Sequence, residues 1–532
     1  MKRSIAYWGV AISTIALSAP AAYAQAAPAA ADQQGRQVEE IIVTAQRREE
    51  SLVAVPVSIT ALSADTLSKQ AISNERDLQV AVPGLTVRAA FNSDQLTFSI
   101  RGQTIDPFTY SQPGVAPYVN EYALPTGFSS PPLYDLASVQ VLKGPQGTLF
   151  GRNAIGGAVL FTTTRPSHKL EGYAKVRGGN YGFFEMEGAV NLPIGDAVGL
   201  RIAGRHAETG GFFKNLTTGN RVGKRKSDAV RGSLLLEPSD RISNTLIVDY
   251  SKISGTTTNG RLYSLYAVGA TNNGIRLNQA TTLFGPAIDN FYGPGFFASY
   301  VTAAGLAGTN AAGGLRAYFD AVRNDDPNSD VRLSDDPYIN GRTYNLVNTT
   351  VFELNDDTKL KAIIGYTDSD SLAVADSDGT PFILQTASVQ NQTKQYSGEL
   401  QLAGKAFDGN LDYVTGVYYI NTKAKFLNGG PGPNGPISTG GHIFQFAPAP
   451  VPFPLAASNT LKSLVTDEAI AGYAQATYSL SDALKITGGL LQSRYFVSIA
   501  QPACDLERVA QRIGRLGVPR DSFISNQGLK CV

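Results

Sequence analysis

The stretch YGFFEMEGAVNLPIGDAVGLRIAGRH, Tyr181 to His206, alternates with period two on both sides of a tight turn. Phe184, Met186, Gly188, Val190 and Leu192 oppose Glu185, Glu187, Ala189 and Asn191; after LPIGDA, Val198, Leu200 and Ile202 oppose Arg201 and Arg205. Successive side chains of a strand point to opposite faces, so one face must meet apolar surroundings and the other polar ones. The rhythm continues outward from this stretch. In HKLEGYAKVRGGN, Leu170, Gly172, Ala174 and Val176 oppose Glu171, Tyr173, Lys175 and Arg177. In DDTKLKAIIGYTD, Leu360, Ala362, Ile364 and Tyr366 oppose Lys359, Lys361 and Thr367.

A soluble β-sandwich would alternate in the same way, and the connections separate the two readings. LPIGDA, EPSDR, NDDTK, AGKAFDGN and LSDAL are tight turns. Between them lie long polar, Gly-rich segments, among them Ser254 to Gly341 and Asn421 to Thr466. Short turns at one end and long loops at the other mark an outer-membrane barrel. In such a barrel each backbone N–H and C=O pairs with a neighbouring strand, because lipid offers no partner. The apolar members above then face lipid, and Glu185, Glu187, Arg201, Arg205, Lys359 and Lys361 face the lumen.

The bulk composition agrees. Charged residues make up 17%, below the roughly 25% of soluble proteins. Lys+Arg 45 against Asp+Glu 44 leaves no net charge to recruit nucleic acid. The amino terminus has Lys2 and Arg3, an apolar run from Ile5 to Leu17 and Ala22-Tyr23-Ala24, the pattern of a secretory signal cut after Ala24. The protein is therefore expected to leave the cytoplasm.

Residues 51 to 166 break the rhythm. SLVAVPVSITALSADTLSKQ reads as a strand followed by a Ser/Asp-capped helix from about Asp65. ISNERDLQVAVPGL reads as a second short helix, capped at Ser73 or Asn74 and stopped by Pro83-Gly84. Short strands follow in LTVRAA, TFSIRGQ, APYVNEYAL, SVQVLKG and GAVLFTTTRP. This predicts a compact α+β module ahead of the barrel.

The motifs of this module carry a resemblance. VPVSITALSADTL, DLQVAVPGLTVR, FSIRGQ and ASVQVLKGPQGTLFGRNAIGGAVLFTTTRP resemble, in order and spacing, the plug domain of TonB-dependent outer-membrane receptors. EEIIVTAQRREE resembles their TonB box. The resemblance implies an all-β transmembrane barrel of 22 strands whose lumen is filled by an N-terminal α+β plug. It implies units at 1–24 (signal), 25–50 (periplasmic tail with the box), 51–166 (plug) and 167–532 (barrel). It also implies that Ile41, Ile42, Val43, Thr44 and Ala45 hang into the periplasm as a detachable strand. The C-terminal domain of TonB, driven by its inner-membrane energising complex, would pair with that strand by β-addition. Plug arginines of the family meet wall carboxylates, which makes Arg101 and Arg152 the candidates and Glu185 and Glu187 their candidate partners.

Other chemistry has little support. GPQGTLFGRNAIGGA lacks the G-K-[ST] ending of a phosphate-binding loop. His168, His206 and His442 are scattered, and no hydrolase or metalloprotease motif stands out, so neither an enzyme nor a cofactor is expected. The acidic DSDSLAVADSDGT lacks the glycine and final glutamate of a calcium-binding hand. Cys504 and Cys531, in an exported chain, are expected to form one disulfide in an external loop.

About eleven candidate strands lie between Leu170 and Cys504, half of 22, and GLKCV ends the chain without the terminal aromatic strand of such barrels. The expectation is a receptor truncated in its barrel. The implied activity is energy-coupled uptake of a scarce, bulky nutrient across the outer membrane of a Gram-negative bacterium. A ferric siderophore is the default substrate; vitamin B12, oligosaccharides and aromatic compounds are the alternatives, as is a fragment unable to transport. Lipid and TonB are the expected partners, and no residue assigns the substrate-binding site.

Overall fold

The computed structural model describes residues 42–44, 47–48, 50–51, 55, 57–89, 96–104, 113–125, 133–151, 153–256, 271–272, 275–276, 322, 330–376, 379–381, 386–428, 431–432, 435–436, 461–481 and 484–500.

The described residues begin with a two-residue ladder, β1 (Ile42–Val43) against β2 (Glu50–Ser51). The α+β module follows. β3 (Ser58–Ser63) runs directly into α1 (Ala64–Lys69), where Ser63 Oγ accepts from the Thr66 N–H at 3.3 Å and caps the helix. The second helix, α2 (Leu78–Ala81), starts later than the sequence suggests. Ser73 and Asn74 do not cap it. Their own N–H groups donate to Asp77 Oδ2, at 2.8 and 3.0 Å, so Asp77 gathers the preceding residues into a turn and leaves one helical turn behind it.

β4 (Leu85–Ala89) and β5 (Leu96–Ile100) form a hairpin. β6 (Val115–Val119), β7 (Tyr122–Ala123), β8 (Leu136–Lys143), the short α3 (Gly147–Phe150) and β9 (Gly157–Thr163) complete the module. Its five-stranded sheet has the order β3-β8-β9-β6-β7, with β6 and β9 parallel. β8 and β9 are apolar on both faces because both are covered. Val139, Val141, Val159 and Phe161 pack with Leu67, Leu78 and Phe98. Leu142, Ala158 and Leu160 pack on the other side with Val414 and Tyr473 of the wall.

Among the described residues the wall is one antiparallel sheet of eleven strands in chain order. They are β10 (Glu171–Gly179), β11 (Phe183–Pro193), β12 (Val198–Lys214), β13 (Arg221–Ser239) and β14 (Ile242–Gly255). Two-residue strands β15 (Thr271–Asn272) and β16 (Ile275–Arg276) pair separately in the next connection. The wall resumes with β17 (Tyr338–Asn355), β18 (Thr358–Asp376), β19 (Thr386–Ala406) and β20 (Leu411–Asn428). After another small ladder, β21 (Pro431–Gly432) with β22 (Gly435–Pro436), come β23 (Leu461–Ser481) and β24 (Leu484–Ala500). The count of eleven agrees with the alternation in the sequence. Tight turns follow β11, β14's predecessor β13, β17, β19 and β23, all at one end of the sheet.

The wall is inverted relative to a soluble sheet. Met186 and Ile364 are 52% and 58% exposed, whereas Glu185 and Glu187 are 2% and 5% exposed. The apolar face is the outer one and suits lipid; the polar face is covered by the module inside. No helix among the described residues is long and apolar enough to cross a membrane.

Candidate functional site

The segment that resembles a TonB box lies folded against the plug module, not free of it. Val43 is fully buried, in a cluster with Val55, Tyr118, Leu149 and Phe150. The Thr44 N–H donates to Gln140 Oε1 of β8 at 3.0 Å. The extended, apolar character that suits strand addition equally suits docking on this module. Ile41 and Ala45 lie outside the described residues.

Three residues on, the backbone turns back, with the Arg47 N–H on the Thr44 carbonyl at 3.0 Å and Arg47 at φ 62°. The turn sends the Arg47 guanidinium into the interface between module and wall. Its Nε donates to the Leu149 carbonyl and its Nη1 to the Glu121 carbonyl, both at 3.2 Å. Glu121 of the module and Glu399 of β19 each place a carboxylate oxygen 3.6 Å from it. The guanidinium carbon sits 4.6 Å from the centre of the Phe150 ring and 5.5 Å from that of Tyr118. Burial alone would favour the neutral form, but Glu399 and Glu121 more than offset it and hold Arg47 charged. Arg48 adds a second tether, bridging Glu50 at 2.5 Å and Asp412 of β20 at 3.2 Å.

Glu121 reaches this point because it tips the β6–β7 hairpin. Asn120 and Glu121 have φ of 48° and 68°, the paired positive angles of a two-residue hairpin turn. Asn120 Oδ1 anchors the turn by accepting from the Thr163 N–H at 3.0 Å. Both oxygens of Glu121 accept from Lys361 Nζ of β18, at 2.9 and 2.8 Å. Burial pushes the Glu121 pKa up, yet Lys361 and Arg47 outweigh it and hold the carboxyl below its ordinary range. The next residue, Tyr122, lays its ring on Gly365, where a Cβ would stand 2.0 Å from the ring. Its hydroxyl meets Thr367 Oγ1 at 2.9 Å and Gln395 Nε2 at 3.0 Å. Burial pushes this phenol up to about 12, so it stays protonated and can donate at physiological pH.

A second ionic contact joins the start of β8 to the wall. Arg201 of β12 grips Asp135 with Nε at 2.9 Å and Nη2 at 2.5 Å, a two-pronged pair. The Tyr134 hydroxyl donates to Asp249 of β14 at 2.8 Å, and Arg231 of β13 donates to the same carboxylate at 3.0 Å.

Among the described residues, Glu185 and Glu187 meet partners other than Arg101. Glu185 is taken by Arg177 and by Arg205, the latter at 3.1 Å, all three on the wall. Glu187 accepts from the Tyr173 hydroxyl at 2.6 Å and from the Asp135 N–H at 3.3 Å. Arg101 is exposed in the turn after β5, at φ 51°, and Arg152 lies outside the described residues. Among the described residues, the charges that cross the interface are module carboxylates on wall cations, with Arg47 and Arg48 the reverse cases. Cys504 and Cys531 also lie outside the described residues.

Known proteins are similar to this chain in sequence and fold. Residues 51–158 match the family described as TonB-dependent Receptor Plug Domain. The pesticin receptor of Yersinia pestis is 30% identical over 221 residues, which are 40% of this chain and 32% of that protein. Residues 51–158 of this chain thus carry the plug domain of TonB-dependent receptors. The ferripyoverdine receptor of Pseudomonas aeruginosa is 28% identical over 161 residues, 30% of this receptor and 19% of that one. Among solved structures, the ferric yersiniabactin uptake receptor of Yersinia pestis superposes with a TM-score of 0.60 at 19% identity. That match covers 84% of this receptor and 60% of the other chain, and it supports the plug-and-barrel fold. The chain thus spans about a third or less of the length of these curated relatives. It is an outer-membrane protein of a Gram-negative bacterium, its plug covering the inner face of the wall.

Proposed function

We propose that this receptor takes part in TonB-dependent, energy-coupled uptake across the outer membrane, with a ferric siderophore as the substrate. Residues 41–45 are its TonB box, on a tail that ends where the plug begins at about residue 51. The observation that carries this reading is the docked box. Val43 is fully buried, and Arg47 is held between Glu121 of the plug and Glu399 of the wall. A passive channel has no use for a strand stored in this way. Loading substrate from outside shifts plug against wall, which loosens Arg47 and frees the box for strand addition by TonB. No covalent chemistry is involved. The substrate class is supported by the relatives, whose names describe a ferripyoverdine receptor and a ferric yersiniabactin uptake receptor.

The test is uptake of iron-55 carried by pyoverdine or yersiniabactin in cells displaying the receptor. Uptake is expected to fall to background when the proton gradient is dissipated, with surface binding retained. Uptake that continues without the gradient would show a passive pore instead. Thr44→Cys is expected to cross-link to a cysteine-bearing TonB C-terminal domain only when substrate is present.

A further inference from the structure

The β6–β7 hairpin and the docked tail are held by the same strand of the wall. Gln395 and Glu399 both point inward from β19 and are both buried, about 13 Å apart along the strand. Gln395 holds the hairpin, and Glu399 faces Arg47 of the tail. Glu121 joins the two contacts, since its carbonyl and its carboxylate both meet Arg47.

The hold of Gln395 is specific. Its Nε2 donates to the Ala123 carbonyl at 2.6 Å and to the Tyr122 hydroxyl at 3.0 Å. β7 is an edge strand of the plug sheet, and there the amide N–H stands in for a further strand. Gln395 Oε1 accepts from Thr422 Oγ1 of β20 at 2.9 Å, which fixes the end of the amide that faces the plug. The chain continues beyond the hairpin. The Tyr122 hydroxyl meets Thr367 Oγ1 of β18 at 2.9 Å, and Thr367 donates to Asn345 Oδ1 of β17 at 2.7 Å. From Thr422 to Asn345 every link runs donor to acceptor in one direction, so the links polarise one another. One plug hydroxyl thus completes a chain across β17, β18, β19 and β20. Lys361 also meets the hairpin, through Glu121, but an ammonium on a flexible four-carbon stem can follow a moving carboxylate. An amide held at both ends cannot.

We propose, resting on the assignment of residues 41–45 as the TonB box, that Gln395 is a positioning residue for release of that box. It sets where the hairpin sits, and so whether Glu121 can hold Arg47. Moving the hairpin off Gln395 withdraws the carbonyl and the carboxylate of Glu121 from Arg47 together. Hairpin displacement and undocking of the tail are then one event.

The test uses the full chain in nanodiscs and reads hydrogen exchange of the Thr44 amide. That amide is bonded to Gln140 in the docked tail, and following it needs neither TonB nor substrate. Gln395→Met keeps the length and drops the amide; Thr44 exchange is expected to quicken about ten-fold. Tyr122→Phe keeps the ring on Gly365 and loses only the hydroxyl, so exchange should quicken less. The double variant should fall short of the product of the two, because both remove the same bond. Gln401→Met is the control. Gln401 is equally buried on the same face of β19, and among the described residues neither of its amide atoms has a partner. This variant should leave exchange unchanged. Cross-linking of Thr44→Cys to the TonB C-terminal domain without substrate should rise in step with exchange. Unchanged exchange in both Gln395→Met and Tyr122→Phe, or an equal rise in Gln401→Met, would overturn the role of Gln395. Faster exchange in Gln395→Met, with no cross-linking in any variant even when ferripyoverdine is added, would uphold the coupling of hairpin to tail and overturn the box assignment instead.

Discussion

The plug and the wall solve the same problem in opposite directions. The plug hides Val139, Val141 and Phe161 and turns charges such as Asp135 and Glu121 outward. The wall turns Met186 and Ile364 outward and hides Glu185, Glu187 and Arg201. Each surface is the other's solvent. A plug carboxylate that would meet water in a soluble domain meets Arg201 or Lys361 here. The interface between the two therefore combines ion pairs with apolar patches such as Leu142 and Leu160 on Val414, and its ionic part can come apart and re-form more readily than an apolar core would.

Arg47 is where that comparison is most easily broken. Removing one member of a buried charge cluster leaves its partners uncompensated, at a cost of about 3–5 kcal/mol. Arg47→Ala strands Glu399, leaves Glu121 to Lys361 alone and removes the ring contacts at once. The box should then leave the plug without substrate, giving constitutive cross-linking of Thr44→Cys to TonB. Glu399→Gln, which keeps shape and hydrogen bonding, should do the same more weakly. A box that stays docked in Arg47→Ala would show that Val43 and the β1–β2 ladder suffice.

The lipid face gives the next effect. Ile364→Lys places a charge on the outward face of β18 and should destabilise the wall by about 2–4 kcal/mol if the site lies at mid-depth. Ile363→Lys moves the charge by one residue onto the lumen side, beside Tyr122 and Val347. There it should disturb the plug contact more than the wall. Heat-modifiable migration of the two variants separates these outcomes; equal losses of wall stability would mean that the two faces are not distinct.

Gly365 is the next smallest test. Any side chain there must push Tyr122 away, so Gly365→Val should cost about 1–3 kcal/mol in overpacking. The loss should appear as weaker plug–wall attachment, read by proteolysis at the β6–β7 hairpin. Strand content should not change, because valine suits a strand.

The wall was readable because its signal is local. Period-two alternation across Tyr181–His206 and the unequal connections are properties of neighbouring residues, and eleven strands follow from them. Ser63 as a cap is local too. The interface is not. Arg47 and Glu399 lie 352 positions apart, and Tyr122 and Gln395 are separated by 273. Arg47 stood in plain view in QRREE, where a run of mixed charges suggests solvent. Its burial depends on Phe150 and Tyr118, which nothing nearby announces. The resemblance points to Arg101 and Arg152, of which Arg152 lies outside the described residues, whereas the hairpin turn at Asn120–Glu121 delivers the carboxylate that meets Arg47. Asn120 is a typical turn residue; Glu121 at positive φ is not, which is why APYVNEYAL read as one strand and proved to be two.

The smallest effect concerns pH. Burial opposes ionisation of Glu121, but Lys361 and Arg47 prevail and depress its pKa. A depressed carboxyl contributes stability that is fully present above its unfolded value, about 4.3, and is lost as pH falls through the lower folded value. The hairpin contact should therefore be constant from about pH 5 to 8 and loosen only below about pH 4. Hydrogen exchange of the Glu121 and Tyr122 amides, pulsed at a series of pH values and corrected for intrinsic rates, reads this locally. Glu121→Gln should remove the acid step while keeping the turn, since the main-chain carbonyl of residue 121 still accepts from Arg47. A transition between pH 5 and 8 would implicate a histidine instead. His168 and His206 are both on or next to the wall, bound to Glu237 and Asp228, and neither touches the hairpin. Such a result would mean that the contact is governed by the shape of the wall and not by the charge on Glu121, and the plug's ionic outer surface would lose its role as the part that yields first.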